Sequence, residues 1–210
     1  MNIKTLTAIL GVALTTMAFK ASAQKAYTHG VLSYDTQVRG NPATAKIYFT
    51  PDSSATVVSF GAGTFKMLSN AKHDYLAFVI DVPVASIKKA GVASPAELEE
   101  GMAMLPTFTF TPTAETKQIS GFNCKKVVAK ENKTGKSYDI WITNDITVPA
   151  TAFPYYYNAI GGVPIQYTSF FQGQELAVTI KSVTDDSAPA GTYAISSDFE
   201  KVTMEELMSH

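Results

Sequence analysis

The chain has 210 residues, and its 17 lysines and arginines against 18 aspartates and glutamates leave a formal charge of −1. Basic residues cluster only at Lys88-Lys89 and Lys125-Lys126, which excludes the concentrated positive surface that nucleic acid or an anionic membrane surface requires. One cysteine excludes an internal disulfide, so the fold must rest on its core.

Residues 1–23 read as a targeting leader. Lys4 gives a short positive start, Leu6 to Phe19 form an apolar run, and Ala21-Ser22-Ala23 supplies the small-x-small pattern that a signal peptidase accepts, leaving Gln24 as the new N-terminus. The run is short of the about 20 residues a membrane span needs. Residues 24–210 are therefore expected to be exported, with no transmembrane segment, to the periplasm or exterior of a Gram-negative-type bacterium. Losing Lys4 and Lys20 takes the formal charge to −3, 15 basic against 18 acidic side chains. The length suits a single domain that buries roughly 70% of its unfolded surface.

Most of this region alternates with period two, the pattern of half-buried strands. Leu32, Tyr34, Thr36 and Val38 share one face of a first strand; Phe108 and Phe110, then Tyr138, Ile140 and Ile142, then Leu176, Val178 and Ile180 mark later ones. Turn signals separate the runs: Arg39-Gly40-Asn41-Pro42, Pro51-Asp52-Ser53-Ser54, Gly61-Ala62-Gly63 and Asn132-Lys133-Thr134-Gly135. The fold class expected is mainly β, a curved antiparallel sheet or open half-barrel with a covering helix.

Residues 75–82, YLAFVIDV, are apolar on both faces and need cover on both. The candidate cover is SPAELEEGMAML, residues 94–105. There Ser94 caps, Pro95 takes the first helical position, Glu97 completes a capping box, and Leu98, Met102 and Leu105 form one stripe. A second capping box, Thr203 to Glu206, predicts a short C-terminal helix.

No Gly-x-Ser-x-Gly, His-Glu-x-x-His or Cys-x-x-Cys spacing occurs, and no metal or cofactor set is recognisable. His73 and Asp74 are adjacent, but neighbours on a strand point to opposite faces, which favours a structural His73 over a triad or metal ligand. Cys124 has two readings. One is a thiol activated by Lys125 and Lys126; the other, favoured by the strand geometry, is a small core hydrophobe sharing a face with Phe122.

The segment 153–171, FPYYYNAIGGVPIQYTSFF, carries seven of the 23 aromatics: Phe153, Tyr155, Tyr156, Tyr157, Tyr167, Phe170 and Phe171. Rings with polar tips suit either the rim of a ligand mouth or partner surface, or a corner of the core. These seven, with Leu98 and Met102, are the candidate ligand-binding residues.

The run Glu115 to Lys126, ETKQISGFNCKK, resembles a stretch of a family of exported bacterial proteins known as DUF4412. The likeness continues through Thr134-Gly135 into Tyr138-Asp139-Ile140-Trp141-Ile142-Thr143, and more faintly at Gly191 to Leu207. It implies a fold similar to the lipoprotein carriers LolA and LolB, a curved sheet with helices around an apolar cavity, and it implies no catalytic residues. The function expected is non-catalytic binding of a lipid, acyl chain or other hydrophobic or amphiphilic ligand. The alternatives are a cell-envelope interaction or structural module with a filled core and an envelope protein partner, or an enzyme using Cys124 or His73.

Overall fold

The computed structural model describes residues 24–38, 41–171 and 173–208; the expected leader, the Arg39-Gly40 turn and His210 lie outside the described residues. After a two-residue strand β1 (Lys25–Ala26), six strands run as an antiparallel meander: β2 (Gly30–Val38), β3 (Asn41–Phe49), β4 (Ser53–Phe60), β5 (Gly63–Asn70), β6 (Leu76–Val82) and β7 (Ile87–Val92). Helix α1 (Pro95–Met104) carries the chain to the opposite edge of the same sheet. From there β8 (Phe108–Ile119), β9 (Phe122–Glu131) and β10 (Ser137–Thr143) run back inward. The short β11 (Ile146–Thr147) leaves to pair in parallel with β1. Strands β12 (Val163–Phe171) and β13 (Gln174–Thr184) then bring the second meander against β2. Finally β14 (Glu200–Val202) adds in parallel to β7, and α2 (Met204–Met208) follows.

The sheet order is β14-β7-β6-β5-β4-β3-β2-β13-β12-β10-β9-β8. Laid flat, β7 and β8 would stand ten strand spacings apart, about 48 Å. The linking residues 93–107 reach only about 35 Å, about 15 Å of it helix, so the sheet must curl. The direction of curl is visible in three rings. Phe171 of β12 lies 6.1 Å from Phe65 of β5 and 6.0 Å from Phe78 of β6, although five spacings, about 24 Å, separate β12 from β5 along the sheet. The face carrying these rings is the concave one, and the sheet stays open rather than closing into a barrel.

Register assigns the faces. Ile47, Thr56, Met67 and Phe78 form one cross-strand row on the concave side; Tyr48, Ala55, Leu68 and Ala77 form the next, on the convex side. The larger core lies on the concave side of the β2, β3, β9, β10, β12 and β13 region, with Leu32, Phe49, Val127, Ile140, Ile165 and Ile180 all buried. A smaller convex core of Ala55, Leu68, Ala77, Val79 and Ala90 is covered by Tyr193, Ile195 and Phe199 of the C-terminal segment, which the Lys88–Asp198 ion pair fastens.

Ala77, Phe78 and Val79 are buried in sequence, so β6 is indeed covered on both faces. The cover does not come from the predicted helix. Helix α1 forms with both halves of its capping box, Glu97 N–H donating to Ser94 Oγ and Ser94 N–H to Glu97 Oε2, yet none of its residues is buried. A good cap stabilises a helix end locally; only a continuous apolar stripe docks the helix, and here Gly101 and three glutamates dilute it. The concave end of the β7 edge is covered instead by α2, whose Leu207 is buried and whose Met204 Sδ would stand 3.1 Å from a Cβ on Gly91.

Candidate functional site

The aromatic segment folds into the curl rather than around its rim. Pro149 and Pro154 each precede a single 3-10 turn, at 150–152 and 155–157, closed by Ala152 N–H to Pro149 O and Tyr157 N–H to Pro154 O. Gly161, with φ +87°, reverses the chain, and Gly162 lets it lie against β10: a Cβ there would meet Thr143 O at 2.9 Å. Thr151 Oγ1 anchors the first turn by donating to Thr50 O at 2.5 Å.

Inside, Tyr157 is fully buried, with its ring stacked 5.6 Å from Phe108 and edge-on to Tyr156 at 4.8 Å and Tyr167 at 5.7 Å. Its hydroxyl donates to Thr168 O at 2.7 Å, and Tyr156 Oη accepts from Phe170 N–H at 3.0 Å. Phe170 meets Tyr138 edge-on at 5.4 Å, and Tyr138 donates to Glu175 Oε1 at 2.8 Å. The segment is a plug, tied by polar tips to the backbone of the strand it covers. Of the two readings open for these rings, the core corner describes Tyr156, Tyr157, Tyr167 and Phe170.

The other candidates part company. Phe153 packs half-buried against the plug's core. Tyr155 stays at the edge with its ring 5.2 Å from that of His73. Leu98 and Met102 are half-buried on α1 and belong to neither apolar core. Phe171 joins Phe65 and Phe78, away from the plug, and Val58, Met67 and Ile80 lie half-buried around this trio on the same face. Sequence reading missed Phe65, Phe78 and their neighbours. Their period-two spacing on successive runs was the available signal, but which runs pair decides which residues meet.

The groups weighed for catalysis are engaged structurally. Cys124 is buried, its thiol aimed at Phe122 O 3.6 Å away, and burial first, then Asp145, pushes its pKa up to about 11. Lys126 is paired with Glu115 at 3.0 Å and Asp139 at 2.9 Å instead of with the thiol. Asp74 bonds Asn70 rather than His73, which is exposed at the left-handed φ of +57° in the β5–β6 turn. Among the described residues no three His, Cys, Asp or Glu side chains come together to hold a metal. An open depression of about 440 Å³ lies beside Cys124, lined by Thr116, Lys117, Gln118, Asn123 and Lys125. Two of its polar groups already have partners: Lys117 sits 4.0 Å over the Trp141 ring and donates to Gln166, and Asn123 donates to Asp145.

No protein-family model and no curated protein matches the sequence. Among solved structures, PNGF-II in its P21 crystals is similar at 14% identity and a TM-score of 0.50, over 87% of this chain and 32% of that one. The C2 crystals of PNGF-II give 15% identity and a TM-score of 0.47, over 86% and 32%. The likeness is one of fold. The chain spans about a third of the length of PNGF-II.

Burial of the tyrosines has a consequence in alkaline solution. Tyr34 is pushed up to about 12, and Tyr157 and Tyr167 are also raised well above the usual tyrosine value, in each case mainly because burial disfavours the phenolate. Unfolded tyrosines ionise near 10 while the folded ones keep their protons, so the unfolded state binds fewer protons above that pH. Urea midpoints should hold level from pH 7 to 9 and fall as pH rises from 10 towards 12. A midpoint that holds level to pH 12 would contradict the buried plug.

Proposed function

We propose that this protein is a non-catalytic binding module that takes an apolar or amphiphilic ligand, a lipid or acyl chain, on the concave face beside Phe65, Phe78 and Phe171. The observation that carries the reading is the division of the concave face. The plug fills one half with hydrogen-bonded tyrosines, whereas in the other half Val58, Phe65, Met67, Ile80 and Phe171 remain half-buried on a curved apolar wall. Each methylene laid on such a wall is worth roughly 0.8 kcal/mol, so an acyl chain is the economical occupant. The leader-like residues 1–23 and the resemblance of residues 107–146 to an exported family favour a cell-envelope setting, periplasmic or secreted.

Native mass spectrometry and displacement of the dye N-phenyl-1-naphthylamine test this directly. Acyl-chain adducts and displaceable dye are expected, and Phe65→Glu is expected to weaken dye binding at least about tenfold, since it puts a charge on the apolar wall. Clean unliganded masses with no dye uptake would refute the reading.

A second reading, a docking module for an envelope protein, is favoured by one observation. Val84, Val92 and Met104 are 81%, 50% and 71% exposed, and all three lie in the stretch that runs from β6 through β7 and α1. Capture of a partner that is lost on Val84→Lys and Met104→Lys, with the lipid experiments negative, would select it.

A further inference from the structure

Two tyrosines on the concave face have hydroxyls that the plug does not use, although the Tyr167 ring packs against Tyr157. Tyr34 and Tyr167 flank β13: Tyr34 stands opposite Ile180, and Tyr167 opposite Val178. Tyr34 also heads a cross-strand row that continues through Ala45 and Val58 to Phe65 and Ile80, the wall described above. Neither hydroxyl has a hydrogen-bond partner among the described residues, unlike those of Tyr138, Tyr156 and Tyr157. No fully buried side-chain oxygen or nitrogen among the described residues lacks a partner. The two hydroxyls therefore touch water-sized space, although Tyr167 is only 5% exposed. An unpaired donor at the end of an otherwise buried ring is costly unless water or a ligand meets it.

We infer that Tyr34 and Tyr167 form the polar end of the proposed ligand site, donating hydrogen bonds to an uncharged acceptor, an ester-type carbonyl, on an amphiphile whose chain lies along Val58, Phe65 and Ile80. This rests on the binding role proposed above and adds the chemical class of the ligand's head. Burial holds both phenols protonated, so they act as donors. A neutral acceptor suits them better than a carboxylate because the cation on this row, Lys89 opposite Ile80, is at its far end and is paired with Glu206 at 2.9 Å. An ionised head beside Tyr34 would be desolvated without a counter-charge.

The test compares displacement of N-phenyl-1-naphthylamine by methyl decanoate, ionised decanoate and dodecane at pH 8, in the wild-type protein and in Tyr34→Phe, Tyr167→Phe and the double variant. Methyl decanoate should displace the dye from the wild type at roughly threefold to tenfold lower concentration than decanoate, the worth of one or two neutral hydrogen bonds plus the avoided charge burial. In the double variant the ester should weaken by a similar factor while dodecane is unchanged, and each single variant should show part of the loss. Thermal unfolding of all three variants should match the wild type, because each loses only a hydroxyl that nothing in the fold uses. An ester affinity that is the same in the double variant, or a decanoate preference in the wild type, overturns the inference and leaves the binding role standing. Failure of every compound and of the dye to bind removes the binding role, and this inference with it.

Discussion

Tyr157→Ala is expected to lower the unfolding free energy by about 4 kcal/mol, with Tyr157→Phe costing about 1–2 kcal/mol. The ring is 0% exposed and touches Phe108, Phe110, Tyr156 and Tyr167, so its loss opens a cavity where four other rings meet. Such a cavity collapses poorly, because Phe108 is fixed by its strand and Tyr156 by its bond to Phe170 N–H. The phenylalanine variant keeps the ring and removes only the donor to Thr168 O, so the difference between the variants separates packing from hydrogen bonding. Urea denaturation monitored by the fluorescence of Trp141 would measure both. A loss under about 1 kcal/mol for the alanine variant would mean that the ring is not structural, and would return 153–171 to the role of a ligand mouth.

That outcome bears on how far the sequence could be read. Alternation in Leu32–Val38, Tyr138–Ile142 and Leu176–Ile180 identified strands correctly; in the last two one face is buried and the other more exposed, which leaves a period-two trace. Local chemistry was equally legible. The Ser94–Glu97 box closes as its spacing predicts, and Thr203 Oγ1 accepts from Glu206 N–H at 3.1 Å to start α2. What failed to show was long-range placement. SPAELEEGMAML has the cap and spacing of a covering helix, but whether it docks depends on where the sheet edges lie, and α1 instead serves mainly as the crossover between them.

The candidate site divided for the same reason. Seven rings close together in sequence look like one feature, yet they reach three places: a plug, an edge contact with His73, and the Phe65–Phe78 trio. Phe170 and Phe171 are adjacent and meet entirely different partners, since neighbouring strand residues diverge. Residues that complete the concave wall come from β4, β5 and β6, more than 80 positions away in the chain, and only the curl brings them opposite Phe171. A pattern read along one strand carries no record of that closure.

The closure itself depends on Gly30, and Gly30→Ala is expected to cost about 4 kcal/mol or more. Gly30 opens β2 with φ +154°, and a Cβ there would stand 2.0 Å from Thr184 O and 3.1 Å from Phe49 Cζ. The carbonyl belongs to the backbone of β13, so it cannot swing aside as a flexible side chain would. Thr184 pairs with Val31 at the seam where the first meander joins the second. To admit a methyl group, β13 would have to move outward by about 1 Å or more, opening the ladder that holds the two halves in one sheet and spreading the curl in which the plug sits. Gly61→Ala is the matched control: its φ of +54° is also left-handed, but nothing lies within 4 Å of the added carbon, so only the backbone strain of about 1–2 kcal/mol applies. Urea midpoints for the two variants should therefore differ clearly. Near-equal losses would show that β2 and β13 tolerate separation, and that the curl is held by the plug and α1 rather than by the seam.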